Sequence, residues 1–283
     1  MFLRANQLLH ENLGESSRRE ALSLFTQATE RDPRFARAYA GIARTWFQLG
    51  NAGNENFSKI TEKGGPSAMK SIELAPHEAE GHLAMALIYM AQDKFESVRL
   101  EVQKALQFNP NLAEAYDTLG SVQMNLDGPD TAIKSFEAAH ELDPLSLGTV
   151  WDLILVYHAL GRKTHALEVL QKTAKLYPTS PWPHLQFARY YIWNQDFLKA
   201  QEHLDKFSEL GASQPDTKTS HAAFQGLLYG LLGKRREAEA LIDYLRGLDN
   251  ESDRLLRIFP ILAALGDLDE AFKCLMRMAD LGA

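Results

Sequence analysis

The stretch AEAYDTLGSVQMNLDGPDTAIKSFEAAHELDPLS, residues 113–146, decides the fold. Its diagnostic positions are Tyr116, Leu119, Gly120, Ala132, Phe136, Ala139 and Pro144. Gly120 and Ala132 carry so little side chain that two helices can approach where a larger residue would hold them apart. Phe136 fills the space between one helix pair and the next. Pro144 has no backbone N–H and restricts Asp143 before it, so one helix ends there and another starts just beyond.

The same marks recur at a fixed interval. Pro76, Pro110, Pro144 and Pro178 follow one another in steps of 34. Small residues precede them at Ala105, Ala139 and Thr173-Ala174, and earlier at Val98, Ala132 and Ala166. His82, Tyr116 and His184 share a slot, as do Ala86, Gly120 and Ala188, and Tyr89, Tyr157 and Tyr191. This pattern resembles the tetratricopeptide repeat, a helix–turn–helix unit of about 34 residues. The resemblance implies an all-α, right-handed superhelical solenoid in which each unit's apolar face is covered by its neighbour.

The register extends both ways. Ala21, Phe25, Ala28 and Pro33 mark the second helix of a first unit, and Tyr39, Ile42-Ala43 and Trp46 open a second. Beyond Pro178 a glycine with an alanine five later persists, at Gly161/Ala166, Gly233/Ala238 and Gly266/Ala271. Eight units result, near 2–35, 36–78, 79–112, 113–146, 147–180, 181–218, 219–251 and 252–283, in a single solenoid domain spanning 1–283. The second unit is lengthened by Gly50-Asn51-Ala52-Gly53-Asn54 and Gly64-Gly65-Pro66, which read as a surface loop over 50–66 or a partner-contacting one. Gly211 to Ser220 reads as a polar turn. The last unit leaves no room for a polar capping helix, so its end face is expected to pair with another surface, a second copy included, unless the chain is truncated.

Composition excludes several functions. Of 283 residues, 45% are hydrophobic, enough for a core. The net charge of −7, from 30 basic and 37 acidic residues, argues against a nucleic-acid binder. The single cysteine, Cys274, excludes a disulfide framework and reads as a small buried apolar residue. Leu83 to Ala91 is far short of the roughly 20 apolar residues of a membrane span. No signal peptide is legible, so the expected compartment is the cytoplasm. The sequons at Asn56 and Asn250 then read as chance matches.

The opening segments FLRANQLL (residues 2–9), ALSLFTQA (21–28) and DPRFARAYAGIA (32–43) carry a further resemblance. They are similar to the repeat region that follows the effector domain in bacterial winged-helix regulators and class III adenylate cyclases, whose second unit also carries an insertion. That resemblance implies a ligand-sensing regulatory module, its effector domain absent from this chain, or a stand-alone relative.

No motif assembles an active site. The phosphate loop, the zinc-binding His-Glu-x-x-His helix and the Gly-x-Ser-x-Gly elbow are all missing. His10-Glu11 has no second histidine four places on. His82 and His184 stand in an aromatic packing slot. Asp249/Glu251 and Asp267/Asp269 fall at turns or helix starts, and Lys234-Arg235-Arg236 reads as a solvated helix start. The expectation is therefore a chain that is not an enzyme, with no catalytic residue, metal or cofactor.

In the tetratricopeptide family the first helix of each unit lines the inner face. The helical period places Arg37, Ala40, Gly41, Arg44 and Phe47 there in unit two, and Leu83, Leu87 and Met90 in unit three. Units four and five contribute Asp117, Ser121, Met124, Asn125, Trp151, Asp152, Leu155 and His158. Unit six contributes Trp182, Gln186, Arg189 and Trp193. The residues expected to bind a partner are Arg37, Arg44, Asp117, Ser121, Asn125, Trp151, Asp152, His158, Trp182, Gln186, Arg189 and Trp193. Trp and Arg are favoured hot-spot anchors, although the tryptophans could equally pack within the stack. Asp117, Asn125 and Asp152 suit contacts to the backbone of an extended peptide, because a polar side chain gains nothing from an apolar core. Two family subtypes do not fit. Glu80, Asp117 and Asp152 would repel the terminal carboxylate that chaperone-clamping repeats bind. The slot of Ala84, Thr118, Asp152 and Gln186 lacks the asparagine ladder of O-GlcNAc transferase. The expected function is a non-catalytic scaffold holding a protein or peptide in the concave groove, without nucleic acid or membrane insertion.

Overall fold

A computed structural model describes residues 1–11, 14–51, 55–212 and 215–281. Sixteen helices follow one another, and no strand occurs among the described residues. They are α1 Phe2–Glu11, α2 Glu15–Arg31, α3 Ala36–Asn51, α4 Phe57–Leu74, α5 Ala79–Met90, α6 Phe95–Phe108, α7 Ala113–Leu126, α8 Pro129–Leu142 and α9 Leu147–Ala159. The remainder are α10 Lys163–Leu176, α11 Trp182–Trp193, α12 Phe197–Leu210, α13 Pro215–Leu231, α14 Arg235–Arg246, α15 Glu251–Leu265 and α16 Leu268–Leu281. The chain forms two compact units, Met1–Val156 and Tyr157–Ala283. In each, helices pair in sequence (α1 with α2, α3 with α4, α11 with α12), and odd helices also touch, α1 with α3, α3 with α5 and α5 with α7 in the first, α11 with α13 and α13 with α15 in the second. Those odd helices therefore form a layer within each unit.

Proline and glycine punctuation sets the boundaries. The residues before Pro76, Pro110, Pro144 and Pro178 are the C-caps Ala75, Asn109, Asp143 and Tyr177. Their φ values of −144°, −139°, −135° and −124° are non-helical, as a following proline favours. Within pairs, one turn slot takes the left-handed conformation. Gly161, Gly233 and Gly266 fill it with φ of 68°, 72° and 79°, and Asp93 and Gln195 fill it at 54° and 59° despite their side chains. Five residues on stand Val98, Ala166, Ala200, Ala238 and Ala271, all buried in the pair contact.

The insertion in the second unit differs from the loop expected over 50–66. Gly50 lies inside α3, and Gly64-Gly65-Pro66 lies inside α4; residues 52–54 fall outside the described set. The extra chain lengthens both helices because burial outweighs helix propensity here. A Cβ on Gly50 would stand 1.9 Å from Ile60 Cδ1, and one on Gly64 would stand 2.7 Å from Ile88 Cδ1. Two glycines that look like loop residues thus permit close approach. The polar turn expected over 211–220 is also shorter, since α13 starts at Pro215 and not near 219. Of that turn, residues 213–214 fall outside the described set, as do residues 282–283 at the expected end face.

Candidate functional site

The odd-helix layer carries the expected partner-binding residues. In the first unit, the two arginines are spent on ion pairs. Arg37 Nε donates to Glu78 at 3.2 Å and lies 3.5 Å from Glu80. The Arg44 guanidinium forks onto the Glu114 carboxylate, joining α3 to α7. Trp151 is half-buried in α9. Asn125 is exposed, and its side-chain amide donates to the Ser121 carbonyl at 2.9 Å.

Asp117 and Asp152 behave differently. Burial pushes the Asp117 carboxyl up to about 6, against the opposing pull of the Thr149 hydroxyl, and Glu114 adds to the rise. Burial, then the charge of Asp117, pushes Asp152 up to about 7. These are desolvated acids on a layer that gives neither of them a salt bridge among the described residues.

In the second unit, exposed His158 stacks on Trp193, with centroids 4.8 Å apart and planes at 27°. The Arg189 guanidinium lies over the Phe224 ring at 4.9 Å, and burial pushes its pKa down to about 10. Trp182 is drawn into packing, 5.5 Å from the buried Phe207 ring. Gln186 sits half-buried one turn from Arg189.

The odd helices of both units hold buried polar oxygens. Gln48 Oε1 on α3, Asp117 Oδ1 on α7, Gln186 Oε1 on α11 and Asn194 Oδ1 at the α11 C-cap are buried and accept no hydrogen bond among the described residues. All four are acceptors. A buried acceptor left unsatisfied costs about 1–3 kcal/mol, and each such group in a folded protein calls for a reason. Gln48 and Asn194 were not among the residues expected from sequence. Gln48 stands just before the insertion, where the repeat register is broken, and Asn194 lies one residue past its helix.

The histidines pack, as their slots imply. His82 is buried, with Nδ1 2.6 Å from Glu101 Oε2 and Nε2 3.0 Å from the Pro76 carbonyl. Burial alone would raise the Glu101 carboxyl, but its hydrogen bonds to His82 and Lys104 outweigh that and hold it below the usual range. His184 and His203 share a hydrogen bond at 3.0 Å between their Nδ1 atoms. Among the described residues, no three of His, Cys, Asp or Glu gather as a metal ion would need. No helix among them is long and apolar enough to cross a membrane.

The fold defines a class, an all-α succession of helix pairs. Two stretches of the chain, residues 10–55 and 118–181, match the tetratricopeptide repeat. It is 19% identical over 206 residues to human tetratricopeptide repeat protein 6, covering 71% of this chain and 37% of that protein. It is 28% identical over 93 residues to human superkiller complex protein 3, covering 33% of this chain and 6% of that protein. The chain thus spans well under half the length of these relatives. Among solved structures, it resembles the Cut9–Hcn1 hetero-tetramer of the APC/C at a TM-score of 0.68 and 19% identity, covering 98% of this chain and 54% of that one. It also resembles yeast Tom70 at 0.64 and 20% identity, covering 99% and 59%. These likenesses establish the fold. None of these relatives bears on the likeness to bacterial regulators and cyclases, which rests on the opening segments alone.

Proposed function

We propose that the chain is a non-catalytic protein-interaction module whose odd helices in the Tyr157–Ala283 unit bind an extended segment of a partner protein. The observation that carries this reading is the pair of orphan acceptors Gln186 and Asn194 on α11 and its C-cap. An extended peptide presents backbone N–H donors at regular intervals, and those donors are what buried acceptor oxygens lack. His158 on Trp193 and Arg189 on Phe224 add aromatic and cationic surface in the second unit. Two similar proteins are named as members of assemblies, the superkiller complex and the Cut9–Hcn1 hetero-tetramer, which accords with a scaffold role. Capture of partners on the purified chain, quantified by mass spectrometry, tests the reading. Partners should be lost from Gln186→Ala/Asn194→Ala and kept by Lys134→Ala, which alters an exposed residue on α8. Equal capture by both variants would reject the inner layer as the binding face.

The apolar stripe Leu268, Phe272, Leu275 and Met276 on α16, 67, 62, 42 and 52% exposed, supports self-association through that helix. Sedimentation of the wild type and Phe272→Glu tests it. A dimer lost in the variant is the expected result, and a wild-type monomer at high concentration would reject it.

A further inference from the structure

We propose that a pocket between α14, α15 and α16 binds a small amphipathic anion, an aliphatic carboxylate or phosphate monoester, with Arg254 as its charged contact. The cavity measures about 280 Å³, and Arg246, Arg254 and Lys273 stand around it with one carboxylate, Glu270. Its floor is apolar, formed by Leu255, Ile258 and Leu262 with the Cys274 thiol beside them. A cluster of three cations over aliphatic carbon is unusual for a chain of net charge −7.

The local carboxylates do not neutralise all three cations. Lys273 is held by Glu270 at 2.6 Å, and Arg246 by Asp243 at 2.9 Å. Arg254 is half-buried and has no carboxylate within ion-pair distance among the described residues. One of its nitrogens, Nη1, donates to the Leu248 carbonyl at 3.0 Å. A guanidinium carries five N–H donors in a planar fork suited to a carboxylate or phosphate edge, so most of this fork remains for a ligand. The aliphatic floor next to it asks for a short hydrocarbon tail. At about 30 Å³ per water-sized group, the cavity takes a head group with a tail of roughly six to eight carbons.

Cys274 is the sole cysteine and stands at the pocket wall, so its alkylation by neutral iodoacetamide reports occupancy directly. Octanoate and octyl phosphate serve as probes for the two head groups, and 1-octanol as the uncharged control. Saturable slowing of alkylation by either anion, with little slowing by octanol at equal concentration, is the expected result. The more protective anion identifies the head group. Arg254→Gln should raise the concentration for half-protection about tenfold. Because Arg254 also tethers the Leu248 carbonyl, Arg246→Gln provides a second variant at an exposed position, expected to raise it about threefold with an unchanged melting temperature. Absence of protection by both anions, or equal protection by octanol, would overturn the proposal. Protection unchanged in both variants would overturn it as well.

Discussion

At the scale of the residue, the odd helices hold polar groups in conditions they do not favour alone. Asp152 shows this through pH. Its carboxyl titrates near 7 in the folded chain, above the ordinary aspartate value. The folded state therefore binds its proton more tightly than the unfolded state does. The stability this confers is complete below about pH 4 and is lost as pH rises through 7. Asp152→Asn should consequently melt higher than wild type at pH 8, by on the order of 2 kcal/mol, with the difference fading towards pH 4. Thermal melts across that range check the sign, and a variant less stable at pH 8 would mean that Asp152 has a stabilising partner. These acids were legible as inward candidates because helical spacing fixes the face on which a residue stands. The fate of Arg37 and Arg44 was not legible. Their partners Glu78, Glu80 and Glu114 lie 41 to 70 residues further along the chain, and pairing across helices depends on packing distances that no local pattern encodes.

At the scale of the element, close approach governs the helix pairs. A Cβ on Gly120 would stand 2.7 Å from the Phe136 ring, which is itself 2% exposed. Gly120→Ala gains helix propensity of about 1 kcal/mol but overpacks this contact, so a net loss of about 1–2 kcal/mol is expected. Phe136→Leu should recover part of that loss in the double variant, a coupling that a denaturant-based double-mutant cycle measures. The turn slot gives the opposite sign. Gln195 holds φ of 59° where other repeats use glycine, so Gln195→Gly should stabilise by about 1 kcal/mol. The glycine–alanine spacing made these turns readable. The same residue type misled at Gly50 and Gly64-Gly65-Pro66, because a glycine that breaks an isolated helix also lets a packed one approach its neighbour. Only the facing side chains, Ile60 and Ile88, distinguish the two cases.

At the scale of the whole molecule, the chain is a row of neighbours, and stability follows how well each helix is covered. Gly81 to Ile88 of α5 is buried without a break, whereas α16 leaves four large apolar side chains exposed. Hydrogen exchange should therefore be slowest in α5 and faster in α16, a gradient that mass spectrometry of peptic fragments reads directly. Uniform exchange along the chain would contradict a near-neighbour stack. Function is proposed to draw on the odd helices, α11 above all, which carries Gln186.

Gln186→Met tests that idea most directly, since methionine keeps the side chain's length and removes the orphan acceptor. A peptide ligand selected on the wild-type chain from a display library would be titrated calorimetrically onto both proteins, with their stability measured in parallel. The expected result is a variant as stable as wild type or slightly more so, because a buried unsatisfied oxygen has gone, that binds the peptide about five- to tenfold more weakly. A less stable variant with unchanged affinity would show that Gln186 serves the fold and not a partner.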